Sequence, residues 1–236
     1  MSLLVFMLPV LAETYGELQD DGVDFEAIYH LNGDATDATG NHNGTLGTSA
    51  YAPSVTNAVF GQGYTFDGGD YISASALFSI GTQTTWTFLW WAKTSSTGNQ
   101  DYVFNHTTIS GGTYIWCKRK DWGTTLECRD YVSWTASNLE STTAINDGNW
   151  HQYALVKEST SSHYLYIDGE LVDTEMTDVG TTAVGGGTFI IGGDDDTPTV
   201  GWIGSLDELV VLTTGLTATE IRQLYHMQMG TYGIVE

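Results

Sequence analysis

A cluster of basic and aromatic residues lies near the middle of the chain, between positions 116 and 134. Four of the seven Lys and Arg residues fall in this stretch, in a chain with 29 Asp and Glu. Aromatic side chains stack on sugar rings, and Arg binds carboxylate or sulfate with paired hydrogen bonds. The cluster predicts a surface for an acidic glycan, a contact with an acidic neighbouring subunit, or a strand face that only balances local acids. The candidate ligand-binding residues are Trp116, Lys118, Arg119, Lys120, Trp122, Arg129, Tyr131 and Trp134.

The two cysteines, Cys117 and Cys128, bracket the basic residues in the sequence CKRKDWGTTLEC. The residues Asp-Trp-Gly at 121–123 predict a turn, so the cysteines would face each other across a hairpin. A cross-strand disulfide and two free thiols both fit this spacing. A disulfide would indicate an oxidising compartment.

The formal net charge of −22 makes some partners unsuitable. Nucleic acid needs clustered Lys and Arg, and anionic membranes repel such a surface for the same reason. The six His residues show no zinc-binding spacing, and no nucleophile elbow or phosphate-binding loop is present. We therefore expect no nucleic-acid partner, no membrane insertion and no catalytic site.

Many short apolar-alternating runs separated by turn residues must position these side chains, and they predict an all-β domain. Asp168-Gly169, between YLYI and ELVDT, predicts a hairpin with a type I′ turn. In TTWTFLWWAKT the alternation places Trp86, Phe88 and Trp90 on one strand face. A single helix is predicted over 216–228, because Thr217 and Glu220 form a capping box and an apolar stripe follows.

The first residues form an apolar run, Leu3 to Ala12, followed by an acidic lead. The run has no preceding Lys or Arg and is short for a signal peptide or a membrane span. It could add a strand to its own sheet or dock on another subunit. A signal remnant and an assembly arm both remain open interpretations.

The order of the segments resembles the concanavalin A-like lectin/glucanase superfamily, and within it the laminin G-like domains of the LamG and pentraxin type. The matching segments are YHLNGDATDATGNHNGT, FGQGYTFDGGDYI, TWTFLWWAK, DGNWHQYALVKE, LYIDGELV, FIIGG and GSLDELVVLTTGLTATEIRQLY. The resemblance implies a two-sheet antiparallel jelly-roll β-sandwich with one short C-terminal helix. It divides the chain into an arm and acidic lead, 1–26, and a laminin G-like domain, 27–236.

The resemblance also implies a bound Ca²⁺, since members of the family often hold one between loops. Ca²⁺ takes oxygen ligands from carboxylates, Asn side chains and backbone carbonyls. The matching positions are Asp34, Asp37, Asn41, Asp67 and Asp207, with Asn43 and Asp70 beside them. The paired acids of the superfamily's glucanases, spaced as Glu-x-Asp-x-Glu, do not occur in this sequence.

The sequence thus predicts a non-catalytic carbohydrate-binding or adhesion module, stabilised by calcium and located outside the cell. The alternative is a structural assembly subunit of a virion or a cell surface, which would use the N-terminal arm to join subunits into a homo-oligomer. A lectin surface requires that at least two of Trp116, Trp122 and Trp134 be exposed.

Overall fold

The computed structural model describes residues 24–78, 83–98, 101–107, 112–182, 187–194 and 200–231. In these residues the chain forms two antiparallel β-sheets that pack face to face, with one α-helix near the C-terminus. Side chains from the two inner faces make the core between the sheets. The predicted all-β jelly-roll sandwich is confirmed.

The first sheet has eight strands and is called the helix-covered sheet below. Its strand β1 (Phe25–Tyr29) pairs with β15 (Ile203–Leu212), beside the main path. That path runs in the order β13 (Glu170–Glu175), β12 (Ser162–Ile167), β11 (His151–Ser159), β6 (Trp86–Lys93), β15 (Ile203–Leu212), β4 (Gly61–Asp67) and β3 (Ser54–Ala58).

The second sheet has seven strands and is called the open sheet. A short 3-10 helix, Ser49–Tyr51, follows its edge strand β2 in the chain. The strand order is β10 (Thr135–Glu140), β9 (Leu126–Val132), β8 (Thr113–Arg119), β7 (Asp101–Thr107), β14 (Thr188–Ile191), β5 (Ile72–Ser75) and β2 (Thr45–Leu46).

The aromatic alternation of β6 builds the centre of the core. Trp86, Phe88 and Trp90 all lie in the buried cluster between the sheets, as their spacing predicts. Phe88 stacks on Phe104 of the open sheet, with ring centroids 4.8 Å apart and an interplanar angle of 12°. The two sheets are therefore joined by direct ring contacts.

The helix α1 (Ala218–Thr231) packs on the outer face of the helix-covered sheet. Its capping box forms as predicted: Thr217 N donates to Glu220 Oε2 at 2.8 Å, and Glu220 N donates to Thr217 Oγ1 at 3.3 Å. Ile221 is fully buried against the sheet. In the described part of the chain, no helix is long and apolar enough to cross a membrane.

The hairpin between β12 and β13 has the predicted turn. Asp168 and Gly169 have φ values of 52° and 78°, as a type I′ turn requires. A Cβ on Gly169 would lie 3.1 Å from Tyr225 Cβ and 3.2 Å from Arg222 Cα, both in α1. Glycine is therefore needed both for the turn and for the close approach of the helix.

Candidate functional site

The basic and aromatic cluster lies on the adjacent strands β8 and β9 of the open sheet. Cys117 and Cys128 are directly opposite each other, point into the core and form a disulfide. Because successive side chains alternate between faces, their neighbours point to the outer face of the sheet. The cross-strand pairs on that face are Tyr114 with Tyr131, Trp116 with Arg129, and Lys118 with Glu127.

Aromatic rings order the outer face. Tyr114 and Tyr131 stack in parallel, with centroids 4.5 Å apart and an interplanar angle of 4°. Tyr102 of β7 meets Trp116 edge to face, with centroids 6.0 Å apart. Aromatic pairs prefer offset-stacked and edge-to-face geometries, so these contacts favour one arrangement of the rings.

Two cations cover Trp116. Lys118 Nζ lies 5.2 Å and Arg129 Cζ 5.1 Å from the centroid of its ring, within the range of cation–π attraction. The Trp116 side chain is only 8% exposed as a result. The ring of Trp116 therefore interacts with these two cations, and its face is not available to a ligand.

Arg119 does not belong to this surface, which corrects the prediction that it binds a ligand. Its side chain is fully buried and its Nε donates to Asp101 Oδ2 at 2.8 Å. Its other nitrogens donate to the backbone carbonyls of Gly98, Lys120 and Gly123. The alternation of β8 places Arg119 on the same inner face as Cys117, so it ties loops together beneath the surface.

The remaining cations of the cluster have acidic partners. Lys118 Nζ lies 2.9 Å from Asp121 Oδ1, and Lys120 Nζ lies 2.6 Å from Glu140 Oε2. Arg129 Nη2 lies 3.7 Å from Glu127 Oε1. These three cations and three carboxylates leave no excess positive charge on the hairpin.

Two tryptophans at the ends of β9 are exposed. Trp122, in the turn between β8 and β9, is 78% exposed, and Trp134, in the turn between β9 and β10, is 91% exposed. Two of the three candidate tryptophans thus meet the exposure that a lectin surface requires.

The predicted calcium ligand Asp37 has a different set of partners. Its carboxylate accepts hydrogen bonds from four backbone N–H groups and one hydroxyl, those of Ile28, Thr39, Asn41 and His42 and the Thr39 side chain. Burial raises the pKa of Asp37, but these hydrogen bonds outweigh it and hold the pKa below its usual value. The carboxylate closes the 34–43 loop through its own backbone.

The other predicted calcium ligands are engaged separately. Asp34 and Asp67 are exposed, and each accepts a hydrogen bond from the backbone N–H two residues further along the chain. Asn41 is also exposed. Asp207 is buried and accepts a hydrogen bond from Phe60 N. Burial, followed by the neighbouring Glu208, raises the pKa of Asp207 to about 8. Among the described residues, no group of three His, Cys, Asp or Glu side chains could hold a metal. Calcium binding at the five positions stays a prediction.

We expect Asp37→Ala to lower the melting temperature equally in calcium and in a chelator. The substitution leaves several backbone N–H groups of the loop without an acceptor, at a cost of about 1–3 kcal/mol whether or not calcium is present. Thermal denaturation in both media measures this. A loss confined to the calcium sample would instead support the predicted calcium site.

A family model then decides the relationship. The model Laminin_G_3 of the concanavalin A-like lectin/glucanases superfamily matches residues 66–222. The chain belongs to this superfamily. The matched region includes β8, β9 and β10, and hence the whole aromatic surface.

Solved structures with low sequence identity share this fold. Domain 4 of AbnA, an extracellular arabinanase from Geobacillus stearothermophilus solved with arabinotriose, is 19% identical with a TM-score of 0.69, covering 86% of this chain and 98% of that domain. The binding domain of botulinum neurotoxin serotype D is 16% identical with a TM-score of 0.67, covering 87% of this chain and 51% of the toxin chain.

A sequence relative is the sushi, von Willebrand factor type A, EGF and pentraxin domain-containing protein 1 of Rattus norvegicus. It is 29% identical over 108 residues, which are 40% of this chain and 3% of the rat protein. The match therefore concerns one small part of a much larger protein.

Sequence reasoning missed two groups of residues in this lectin-like domain. Tyr114 and Tyr102 complete the outer face, and the alternation Tyr114, Trp116, Lys118 along β8 could have indicated the former. Between the sheets, Lys157 Nζ donates to Asp130 Oδ2 at 2.8 Å, and His163 Nε2 lies 3.1 Å from the same oxygen. All three side chains are buried.

The N-terminal arm, Leu3 to Ala12, and most of the acidic lead lie outside the described residues. The assembly alternative and the homo-oligomer depend on that arm, so both stay predictions. The first described strand, Phe25–Tyr29, begins within the 1–26 segment and pairs with β15.

Proposed function

We propose that this protein is a non-catalytic carbohydrate-binding module whose ligand lies on the outer face of β8, β9 and β10. The observation that carries the proposal is the ordered aromatic surface, with Tyr114 and Tyr131 stacked in parallel and Trp134 91% exposed at the adjoining turn. Rings of this kind offer apolar area to sugar C–H groups, and the phenol hydroxyls can exchange hydrogen bonds with sugar hydroxyls.

Relatives of the domain support binding rather than catalysis. The AbnA domain was solved with arabinotriose, and the neurotoxin domain is described as a binding domain. Retaining and inverting glycosidases need two free carboxyl groups on either side of the bond that breaks. On this surface Asp121, Glu127 and Glu140 are each paired with a cation, which does not favour that chemistry.

The disulfide supports a location outside the cell or on its surface. Disulfides persist in oxidising compartments and are rare in the cytosol. The Cys117–Cys128 bond joins the two strands that carry the proposed binding surface. An extracellular glycan would be met in the same compartment.

We expect Tyr131→Ala to weaken glycan binding about tenfold, which corresponds to ~1.4 kcal/mol. The substitution removes one ring of the stacked pair and leaves the inner face of β9 unchanged. Isothermal titration with polysaccharides that bind the unchanged protein measures the effect.

Tyr51→Ala is the matched control, because Tyr51 is an exposed tyrosine in the 3-10 helix, outside β8–β10. Both variants should melt as cooperatively as the unchanged protein. Equal affinities of Tyr131→Ala and Tyr51→Ala for every glycan that binds would remove this surface from the function.

A further inference from the structure

Both exposed tryptophans of the surface sit in backbone conformations that bulky residues avoid. Trp122 has a φ of 56° and Trp134 a φ of 74°. For residues with a Cβ this left-handed region is unfavourable, and Gly, Asn and Asp are the usual occupants. Each tryptophan is also exposed, so it contributes little buried area to the fold.

The turn that holds Trp134 has type I′ geometry. Ser133 and Trp134 both have positive φ, and the flanking Val132 and Thr135 pair across the hairpin. Asn-Gly or Asp-Gly is favoured in such a turn, and this chain uses Asp168-Gly169 in another one. The backbone geometry of the β9–β10 turn therefore does not explain why Ser133 and Trp134 occupy it.

The turn that holds Trp122 repeats this mismatch. Gly123 N donates to Lys120 O at 2.9 Å, so Trp122 is the third residue of a four-residue turn. Positive φ at that position favours Gly or Asn. Strained residues of this kind tend to mark functional positions, and here both also expose an indole ring to solvent.

The separation of the two turns indicates how long a ligand must be to contact both tryptophans. They lie at opposite ends of β9, whose seven residues span about 20 Å at a rise of ~3.4 Å per residue. A monosaccharide could contact only one of the tryptophans. A chain that lies along β9 could contact both and pass Arg129 and Tyr131 between them.

The ion pairs of the hairpin and the net charge of the chain bear on the charge of the ligand. Lys118, Lys120 and Arg129 each face a carboxylate, and the whole chain carries a net charge of −22. An acidic polysaccharide would compete with carboxylates already in place and would be repelled by the rest of the surface. An uncharged chain meets no such repulsion, so the acidic glycan of the sequence-based prediction is not the ligand class that this surface favours.

We propose that the ligand is an extended, uncharged polysaccharide that lies along β9 and contacts Trp122 at one end and Trp134 at the other. This inference rests on the proposed glycan-binding function and specifies its substrate class. The tryptophans act as end contacts, and the residues of the outer face between them supply hydrogen bonds.

The test uses Trp122→Gly and Trp134→Gly, because glycine suits the positive φ at both positions and preserves the turns. The probes are linear arabinan, dextran and hydroxyethyl cellulose as uncharged chains, and polygalacturonate and heparin as acidic chains. Affinity gel electrophoresis ranks the probes, and isothermal titration compares each bound polymer with its own trisaccharide. Tyr51→Ala again serves as the control.

We expect at least one uncharged chain to bind, with an affinity that changes little between about 0.05 and 0.5 M sodium chloride. Each Trp→Gly variant should lose about tenfold in affinity for the polymer and much less for the trisaccharide. The melting temperatures of both variants should equal or exceed that of the unchanged protein.

Other outcomes separate the two proposals. Salt-sensitive binding of the acidic chains alone would overturn the uncharged ligand class and retain a glycan-binding surface. Equal losses for polymer and trisaccharide, or no loss in either variant, would overturn the extended arrangement between the two turns. Failure of the unchanged protein to bind any of the polymers would overturn both proposals.

Discussion

Lys157→Met is expected to lower the free energy of unfolding by about 3–5 kcal/mol, because it leaves the carboxylate of Asp130 buried without its cation. Lys157 Nζ donates to Asp130 Oδ2, to Gly180 O and to Thr182 Oγ1, each at 2.8 Å. Burial lowers the pKa of Lys157, and the charge of Asp130 opposes that shift. Urea denaturation monitored by tryptophan fluorescence measures the loss.

This buried pair joins the two sheets. Asp130 lies on β9 of the open sheet, and Lys157 and His163 lie on β11 and β12 of the helix-covered sheet. Thr182 Oγ1 contacts the same carboxylate and accepts a hydrogen bond from Trp86 Nε1 at 3.3 Å. A single removed partner therefore disturbs the packing on both sides of the core.

A double variant and a control variant test whether the loss comes from the buried pair. The double variant Lys157→Met with Asp130→Asn should regain part of the lost stability, because no uncompensated carboxylate remains. Lys120→Met removes an exposed lysine that is also paired with an acid, and its unfolding midpoint should hardly move. Similar midpoints for Lys157→Met and Lys120→Met would contradict the importance of the buried pair.

Arg119→Met is expected to cost a comparable amount, about 3–5 kcal/mol, and to leave the glycan affinity of the folded protein unchanged. Its guanidinium group holds Asp101, which is fully buried, and the carbonyls of three loop residues. Arg119→Lys should be intermediate, because lysine keeps the charge but cannot reproduce the planar fork. Urea denaturation gives the stability, and titration with a bound glycan gives the affinity.

Arg129→Met is the matched control on the same hairpin, because Arg129 lies on the outer face and pairs only with Glu127 and Asn138 among its described contacts to polar side chains. We expect it to change affinity more than stability. The reverse pattern, with stability unaffected by Arg119→Met and binding abolished, would return Arg119 to the ligand-binding set.

The sequence predicts much of the fold because local rules and packing agree in it. Asp168-Gly169 meets the backbone needs of its turn, and Thr217 with Glu220 caps the helix as expected. The sequence predicts the helix over 216–228, whereas the structure has it at Ala218–Thr231. End positions depend on packing, which local sequence does not contain.

The candidate site was predicted less completely because cross-strand register decides it. The sequence identifies Trp122 and Trp134, but their positive φ follows only from the turns that register produces. The sequence predicts Arg119 on the surface because charge usually indicates exposure, whereas strand alternation puts it on the inner face with Cys117. Strand alternation likewise places Lys157 on the inner face of β11, where it is buried.

The Cys117–Cys128 bond has a consequence for how the protein is produced. It covalently fixes the register of β8 against β9, and with it the pairing of Tyr114 with Tyr131 and of Trp116 with Arg129. In material made in a reducing cytosol the same register would rest on the backbone pairing and the buried inner face alone. Ligand affinities measured with such material would depend on how much of it has formed the disulfide. Secreted or refolded, oxidised protein is therefore the form to use.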